Sequence, residues 1–166
     1  MTYLLDTGVW LWSVGEPARI SRKARDVIAD VSRDVFLSAV TSWEVAIKAV
    51  SGKLHLPEPP DLYVPRRMAG QGLRPLPVSH EHALAVFALP AHHRDPFDRL
   101  LIAQAKVEDM TLISADRIFD RYPVQLLACR WRDDGCRVLR GAYGPNVRRR
   151  HPGSCFGTGE TARSAD

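Results

Sequence analysis

The sequence predicts an α/β fold with three layers, in which helices flank a central, mainly parallel sheet. Short apolar stretches suited to buried strands alternate with longer segments of helical periodicity along most of the 166 residues. Strands that alternate with helices require crossover connections, which give parallel pairing with helices on both faces. The chain is long enough for one domain of this kind and a short extension, since domains commonly hold roughly 100–150 residues.

The first half of the chain contains two predicted strands and two predicted helices. Residues 3–6 form a short apolar strand, and residues 21–29 form a helix with a serine N-cap. The second strand, 34–39, precedes a helix over 41–50 whose Thr-x-x-Glu opening is typical of a capping box. That pattern assigns Glu44 to the third position of the helix.

The strongest helix signal in the second half is the sequence DPFD at 95–98. Aspartate at the N-cap and proline at the first helical position begin a helix that should end near residue 110. A proline-rich loop at 56–60 separates the two halves. The remaining predicted elements are a helix over 61–70, a strand over 73–78, a helix over 79–89, a strand over 111–114, a helical turn over 117–122 and a strand over 124–127.

Charge divides the chain near residue 127. Residues 1–127 contain 15 Lys and Arg against 15 Asp and Glu, whereas residues 128–166 contain 8 against 4 and so carry the whole net charge of +4. We therefore predict a folded domain over 1–127 and a basic extension, rich in arginine and glycine, over 128–166. The extension is either disordered or a basic arm for RNA, centred on the arginine triplet at 148–150.

Cysteine usage and hydropathy favour a cytoplasmic protein. All three cysteines, Cys129, Cys136 and Cys155, lie in the predicted extension, so the predicted domain has none to oxidise. No basic leader followed by an apolar run is visible, and no stretch approaches the roughly 20 apolar residues of a membrane span. We therefore expect no membrane contact.

Four acidic residues are predicted to meet at the carboxyl end of the sheet. Asp6 and Asp116 end or follow strands, Glu44 opens the helix after the second strand, and Asp98 lies in the first turn of its helix. Sites in parallel sheets form at this end of the strands. Grouped carboxylates repel one another unless a cation lies between them, and their oxygens suit Mg²⁺ or Mn²⁺. A metal-bound water at such a site can hydrolyse a phosphodiester.

Helix capping explains the same acids in a second way. Asp and Glu are favoured at N-caps and in first turns, which is where the pattern places Glu44, Asp95, Asp98 and Asp116. Spacing alone therefore leaves a metal site and a set of helix caps as alternatives.

Four longer segments surround these acids. They are LLDTGVWLW at 4–12, SAVTSWEVAIKAVSGKLHLP at 38–57, HRDPFDRLLIAQA at 93–105 and TLISADRIFDRYPVQLL at 111–127. In order and spacing they resemble the PIN-domain ribonuclease toxins, called VapC, of VapBC toxin–antitoxin modules. The resemblance covers about residues 1–127 and implies a PIN-like fold.

The resemblance also implies a Mg²⁺- or Mn²⁺-dependent endoribonuclease that inhibits translation as the toxin of a type II toxin–antitoxin module. Its catalytic residues and metal ligands would be Asp6, Glu44, Asp98 and Asp116, with Asp95 as a cap. The implied partners are an RNA substrate, a cognate VapB-type antitoxin whose C-terminal segment enters the cleft, and a second copy in a homodimer. The alternative is a catalytically silent module of the same fold that binds RNA or an antitoxin.

Other patterns suggest different sites. The tetrapeptide LDTG at 5–8 matches the signature of aspartic peptidases, but those enzymes are all-β and this chain alternates strands with helices. The histidines lack the i, i+4 spacing of a helical zinc site, so surface positions are favoured, and HHR at 92–94 could contact RNA phosphates. For Trp10, Trp12 and Trp43, packing or an antitoxin contact is favoured over stacking on RNA bases.

Overall fold

The computed structural model describes residues 1–129, which contain a five-stranded sheet. The strands are β1 (Thr2–Leu5), β2 (Asp34–Ser38), β3 (Arg74–Leu76), β4 (Thr111–Ser114) and β5 (Leu126–Ala128). Their order across the sheet is β3-β2-β1-β4-β5, and every adjacent pair is parallel. β1 is therefore central, with Leu5 paired to Leu37 on one side and to Ile113 on the other.

Helices connect the strands. Over residues 1–129 they are α1 (Thr7–Gly15), α2 (Arg22–Ala29), α3 (Ala39–Val50), α4 (Pro60–Gly70), α5 (His80–Ala85) and α6 (Pro96–Val107). Short 3₁₀ turns lie at Pro17–Arg19, Val86–Ala88 and Arg117–Arg121. These helices provide the crossover connections that a parallel sheet needs.

Two hydrophobic clusters cover the two faces of the sheet. Leu5 of β1 packs in one cluster, which also takes buried residues from α1, α2 and α4. Its neighbour Leu4 packs in the other cluster, with α6 and the 3₁₀ turn after β4. Successive residues of a strand point to opposite faces, so both sides of the sheet are buried. The predicted three-layer α/β class is confirmed.

Several predicted boundaries agree with the structure. Ser21 is the N-cap of α2, and its side chain accepts a hydrogen bond from the Ala24 N–H. Asp95 is the N-cap of α6, with Pro96 as the first helical residue. The predicted helix over 79–89 divides into α5 and a 3₁₀ turn.

The capping box predicted for the third helix is wrong. α3 begins at Ala39, directly after β2, because the Ser38 hydroxyl accepts a hydrogen bond from the Val40 N–H at 2.9 Å and caps the helix first. Thr41 is therefore already inside the helix, and Glu44 lies in its second turn. Capping no longer explains Glu44.

α1 was not assigned from the sequence. Residues 7–15 are apolar on nearly all sides of the helix, so they lack the periodicity that marks a half-buried helix. Further along the chain, Ala128 belongs to β5 and Cys129 is buried in the first cluster, so both residues past 127 that the structure describes belong to the fold.

The described part of the chain contains no helix with the length and apolar character needed to span a bilayer. The predictions for the arginine triplet at 148–150, for Cys136 and for Cys155 lie outside the described residues. The division into a domain and an extension therefore stays a prediction.

Candidate active site

The structure gathers the four predicted acids at the carboxyl end of the sheet. Asp6 directly follows β1, Asp116 lies two residues after β4, and Glu44 lies in α3, which begins where β2 ends. Asp98 belongs to the first turn of α6, and the charges of the other three acids all raise its pKa. We call these four residues the acid cluster.

Asp6 is fixed by two hydrogen bonds. It is the N-cap of α1, where its Oδ1 accepts a hydrogen bond from the Gly8 N–H at 3.3 Å. Its Oδ2 accepts one from the Ser114 hydroxyl at 2.7 Å. Burial raises the pKa of Asp6, these two hydrogen bonds oppose the rise, and repulsion from Glu44 and Asp116 adds to it. The orientation of this carboxylate is therefore set by the fold.

Glu44 is a buried acid with an unsatisfied oxygen. Only 5% of the residue is exposed, and its Oε1 forms an ion pair with Lys48, one turn further along α3. Its Oε2 is buried and has no hydrogen-bond partner among the described residues. An unsatisfied buried polar atom costs roughly 1–3 kcal/mol, so its presence in a native fold calls for an explanation. A cation bound within the acid cluster would satisfy it.

Asp98 has a strongly shifted pKa. Burial, followed by repulsion from neighbouring acids, raises the pKa of Asp98 to about 7. The acids responsible are, from the largest effect, Asp6, Asp95, Glu44 and Asp116. Its Oδ2 lies 3.1 Å from Nε2 of His93. A shifted pKa caused by burial and by specific charged neighbours is typical of a functional site.

Ser114 links Asp6 to Asp116. Its hydroxyl, which donates to Asp6, accepts a hydrogen bond from the Asp116 N–H at 3.1 Å. The Asp116 side chain is exposed and caps the following 3₁₀ turn, because its Oδ1 accepts a hydrogen bond from the Ile118 N–H at 2.9 Å. Asp116 is therefore the solvent-facing member of the acid cluster. It is also a helix cap, as the capping explanation of these acids predicts.

The acid cluster offers donors for a hard divalent cation without a finished coordination shell. All its donors are carboxylate oxygens, which Mg²⁺ and Mn²⁺ prefer. Within residues 1–129, no three His, Cys, Asp or Glu side chains already stand in an arrangement that holds a metal ion. Glu44 is paired with Lys48 and Asp98 with His93, so the acids repel one another without converging on a point. Cation binding would require adjustment of these side chains.

Comparison with known families identifies the fold. Residues 3–125 match the family described as PIN domain. The chain belongs to the PIN domain family. Ribonuclease VapC16 of Mycobacterium tuberculosis (strain ATCC 25618 / H37Rv) is 45% identical over 60 residues, which cover 36% of this chain and 43% of that relative. The match therefore spans less than half the length of the relative.

Solved structures of two VapBC complexes share this fold. VapBC2 from Rickettsia felis, bound to a DNA fragment from its promoter, superimposes with a TM-score of 0.61 at 16% identity, over 78% of this chain and 99% of that chain. DNA-bound VapBC from Salmonella typhimurium gives a TM-score of 0.59 at 19% identity, over 77% and 98%. At these identities the likeness shows the PIN fold alone.

Beside the acid cluster of this PIN domain, the sequence did not predict Lys48 or Ser114 as part of a site, and it indicated His93 only as a contact for RNA phosphates. Lys48 lies one helical turn after Glu44, and the i, i+4 spacing could have indicated the ion pair. Ser114 ends a strand that pairs with β1, so its proximity to Asp6 depends on the strand order. His93 lies in a loop, and no sequence signal places it against Asp98.

The tryptophans differ in environment. Trp10 is fully buried and its Nε1 donates a hydrogen bond to Oε1 of Gln71 at 3.1 Å, so the prediction of packing is confirmed. Trp12 is half-buried against the first cluster. Trp43 is 55% exposed and packs edge-to-face on Phe97, with ring centroids 4.9 Å apart. An exposed indole therefore immediately precedes Glu44 in the sequence of α3.

The predicted surface position is wrong for His82, which is 3% exposed. Its Nδ1 accepts a hydrogen bond from the Ser79 N–H at 3.1 Å, and its Nε2 lies 2.8 Å from Oε1 of Glu108. The ring completes a capping box at the start of α5, an interaction that metal-ligand spacing does not predict. His82 is therefore a buried structural residue of this PIN domain.

Proposed function

We propose that this PIN domain is a Mg²⁺- or Mn²⁺-dependent endoribonuclease that acts as the toxin of a toxin–antitoxin module. The observation that carries the proposal is the acid cluster, in which repulsion contributes to a pKa of about 7 at Asp98 and one Glu44 oxygen has no partner among residues 1–129. Such an arrangement destabilises the metal-free protein and favours cation binding. The relative named Ribonuclease VapC16 supports RNA as the substrate.

Asp6, Glu44, Asp98 and Asp116 would hold the cation. A bound Mg²⁺ or Mn²⁺ supplies Lewis-acid chemistry: it lowers the pKa of a water ligand and offsets charge on the phosphodiester. The protein provides the orientation. Asp6 is fixed by Ser114 and by the start of α1, while Glu44 is carried on the second turn of α3.

A buried hydrogen bond joins α1, which Asp6 caps, to α3, which carries Glu44. The buried Thr7 hydroxyl, in the first turn of α1, donates to the Thr41 hydroxyl in the first turn of α3 at 3.2 Å. Their relative position is therefore set inside the fold, before substrate binds. Preorganised ligands lose less entropy when the cation and the phosphate arrive.

Cations near the acid cluster would bind RNA phosphates. Arg94 is exposed in the loop that leads from His93 to α6. By contrast, Arg66 is paired with Glu58 at 2.7 Å, so it is less available for a phosphate. We propose Arg94 as the phosphate contact within the described residues, since each such contact adds salt-dependent affinity.

The proposed partners follow from the VapBC neighbours. We propose that a VapB-type antitoxin covers the acid cluster in the cytoplasm, that the chain forms a homodimer, and that unopposed cleavage inhibits translation. Co-expression with the antitoxin should restore growth, and light scattering of the purified chain should give twice the mass of 18.6 kDa. A monomeric mass would contradict the homodimer, and continued growth arrest would contradict neutralisation.

The activity is tested on a circular RNA, which an endonuclease opens and an exonuclease cannot attack. The wild-type chain should cleave it with Mg²⁺ or Mn²⁺, and EDTA should stop cleavage. Asp6→Asn keeps an N-cap residue for α1 but removes a ligand charge, so cleavage should fall at least about a hundredfold, more than loss of an outer-shell partner causes. Asp26→Asn, an exposed acid on α2, is the matched control and should cleave normally.

Two outcomes would contradict the proposal. Full cleavage by Asp6→Asn would show that the acid cluster is not the active site. Metal-independent RNA binding without cleavage by the wild-type chain would favour the silent binding module instead.

A further inference from the structure

His93 is held from three sides in the loop before α6. The Nδ1 atom of its ring accepts a hydrogen bond from the backbone N–H of Asp95 at 2.9 Å. The backbone N–H of His93 donates to the Tyr122 hydroxyl at 2.8 Å. On the opposite side of the ring, Nε2 lies 3.1 Å from Oδ2 of Asp98. These contacts join the loop, the 3₁₀ turn after β4 and the first turn of α6 at the edge of the acid cluster.

The contacts define the tautomer of the imidazole. A backbone N–H can only donate, so Nδ1 of His93 must be the acceptor and carry no proton. The ring proton is then on Nε2, the nitrogen that lies 3.1 Å from Oδ2 of Asp98. The nitrogen of His93 that carries the ring proton is therefore the one nearer to Asp98.

We propose that His93 is a positioning residue for Asp98. A hydrogen bond from Nε2 to Oδ2, which lie 3.1 Å apart, would fix the rotation of the carboxylate and leave Oδ1 free to bind a divalent cation. Partners of this kind, which orient a ligand without touching the metal, commonly contribute 10- to 100-fold to metal affinity or activity. The inference rests on the proposed metal-dependent function, and it extends the site to a residue outside the acid cluster.

Two substitutions separate the contacts of His93. In His93→Asn the short amide can still accept the hydrogen bond from Asp95 but does not reach Asp98. In His93→Gln the longer side chain places an N–H donor near the position of Nε2. The matched control is His92→Gln, because His92 is exposed and its ring contacts Tyr122, with centroids 5.3 Å apart.

The measurement is Mn²⁺ binding to the full chain by isothermal titration calorimetry, with no RNA present. His93→Asn should bind Mn²⁺ about 10- to 100-fold more weakly than wild type, whereas His93→Gln and His92→Gln should bind within about threefold of it. Rescue by glutamine is the result that a purely structural role for the loop would not give. In the metal-free wild type, ¹H–¹⁵N spectra at pH 8 should show the proton of His93 on Nε2.

Several outcomes would overturn the inference. Equal Mn²⁺ affinity of wild type and His93→Asn would do so, as would weakening of His93→Gln to the level of His93→Asn, or a proton found on Nδ1. Each of these leaves the proposed function intact if the wild type binds Mn²⁺ and cleaves RNA. A wild type that binds no Mn²⁺ would instead overturn the metal site and the role of His93 together.

Discussion

The two ends of the central sheet place aspartate in opposite electrostatic surroundings. Beside the amino end of β2, hydrogen bonds from Ser32 and then from Arg33 hold the pKa of Asp30 at about 2. At the carboxyl end, burial and the neighbouring acids raise the pKa of Asp98 to about 7. The same side chain is thus stabilised as an anion at one end and destabilised as an anion at the other.

This contrast separates acids that have cationic partners from acids that repel one another. The acids near the amino end have cations of their own, with Arg33 on Asp30 and Arg74 on Asp34, each at 2.7 Å. At the carboxyl end, by contrast, the acid cluster brings four carboxylates together, and Lys48 pairs with one of them, Glu44. Excess charge that costs stability in the absence of a cation is the mark expected of a functional site.

The largest effect on this contrast is expected for Asp98→Asn. The substitution should make the metal-free protein more stable and should reduce metal-dependent cleavage. The raised pKa means that the folded state binds more protons than the unfolded state between pH 3.8 and about 7, so stability falls as the pH rises through this range. Removing the charge should raise Tm at pH 8 by about 5 °C, a gain that vanishes below pH 4. Cleavage should fall at least about a hundredfold.

Calorimetric melts of wild type and Asp98→Asn in EDTA across this pH range measure the stability effect. Excess Mn²⁺ should then raise Tm of the wild type more than that of the variant, because binding to the folded state stabilises it. A variant that melts below the wild type at pH 8 would contradict the contrast.

A smaller effect is expected for Ser114→Ala, which removes the hydroxyl that joins Asp6 to the Asp116 backbone. Asp6 would lose a hydrogen bond that lowers its pKa, so its ionised form becomes less favourable. Mn²⁺ affinity measured by calorimetry at pH 7 should fall about tenfold. Ser51→Ala, an exposed serine after α3, should bind as the wild type does. Unchanged affinity of Ser114→Ala would show that Asp6 needs no such partner.

The smallest effect is expected at the amino end. The lowered pKa of Asp30 contributes stability that is present above pH 3.8 and lost as the pH falls towards 2. Asp30→Asn should therefore lower Tm at pH 7, opposite in sign to Asp98→Asn, but by only about 1 °C because the pair is exposed. The loss should shrink in 1 M NaCl. A stabilised Asp30→Asn variant would remove the contrast between the two ends.

Local patterns in the sequence predicted most of the elements. The strand at Thr111–Ser114 and the Asp95–Pro96 start of α6 each depend on a few neighbouring residues, which is why periodicity and capping rules find them. The start of α3 was misplaced because Ser38 and Thr41 are both good caps, and the end of β2 decides between them. A choice between two local signals needs the tertiary structure.

The candidate site was predictable in its charges and not in its contacts. Strand ends and the family resemblance together indicated the four acids of the cluster. The unsatisfied Oε2 of Glu44 and the 3.1 Å approach of His93 to Asp98 depend on side-chain positions that no spacing rule encodes. For Glu44, the structure removes the capping explanation that spacing alone leaves open.

The pairing of β1 with β4 also sets when the site can form during synthesis. Asp6 and Ser114 are hydrogen-bonded across 108 positions, so the first strand to leave the ribosome waits for one of the last before its second edge is covered. Such long-range pairing forms slowly, and the open strand edge needs protection meanwhile. An incomplete chain that ends before β4 carries Asp6, Glu44 and Asp98 but lacks Ser114, which fixes the Asp6 carboxylate. The order of the strands therefore delays the assembly of the site until the domain is almost fully translated.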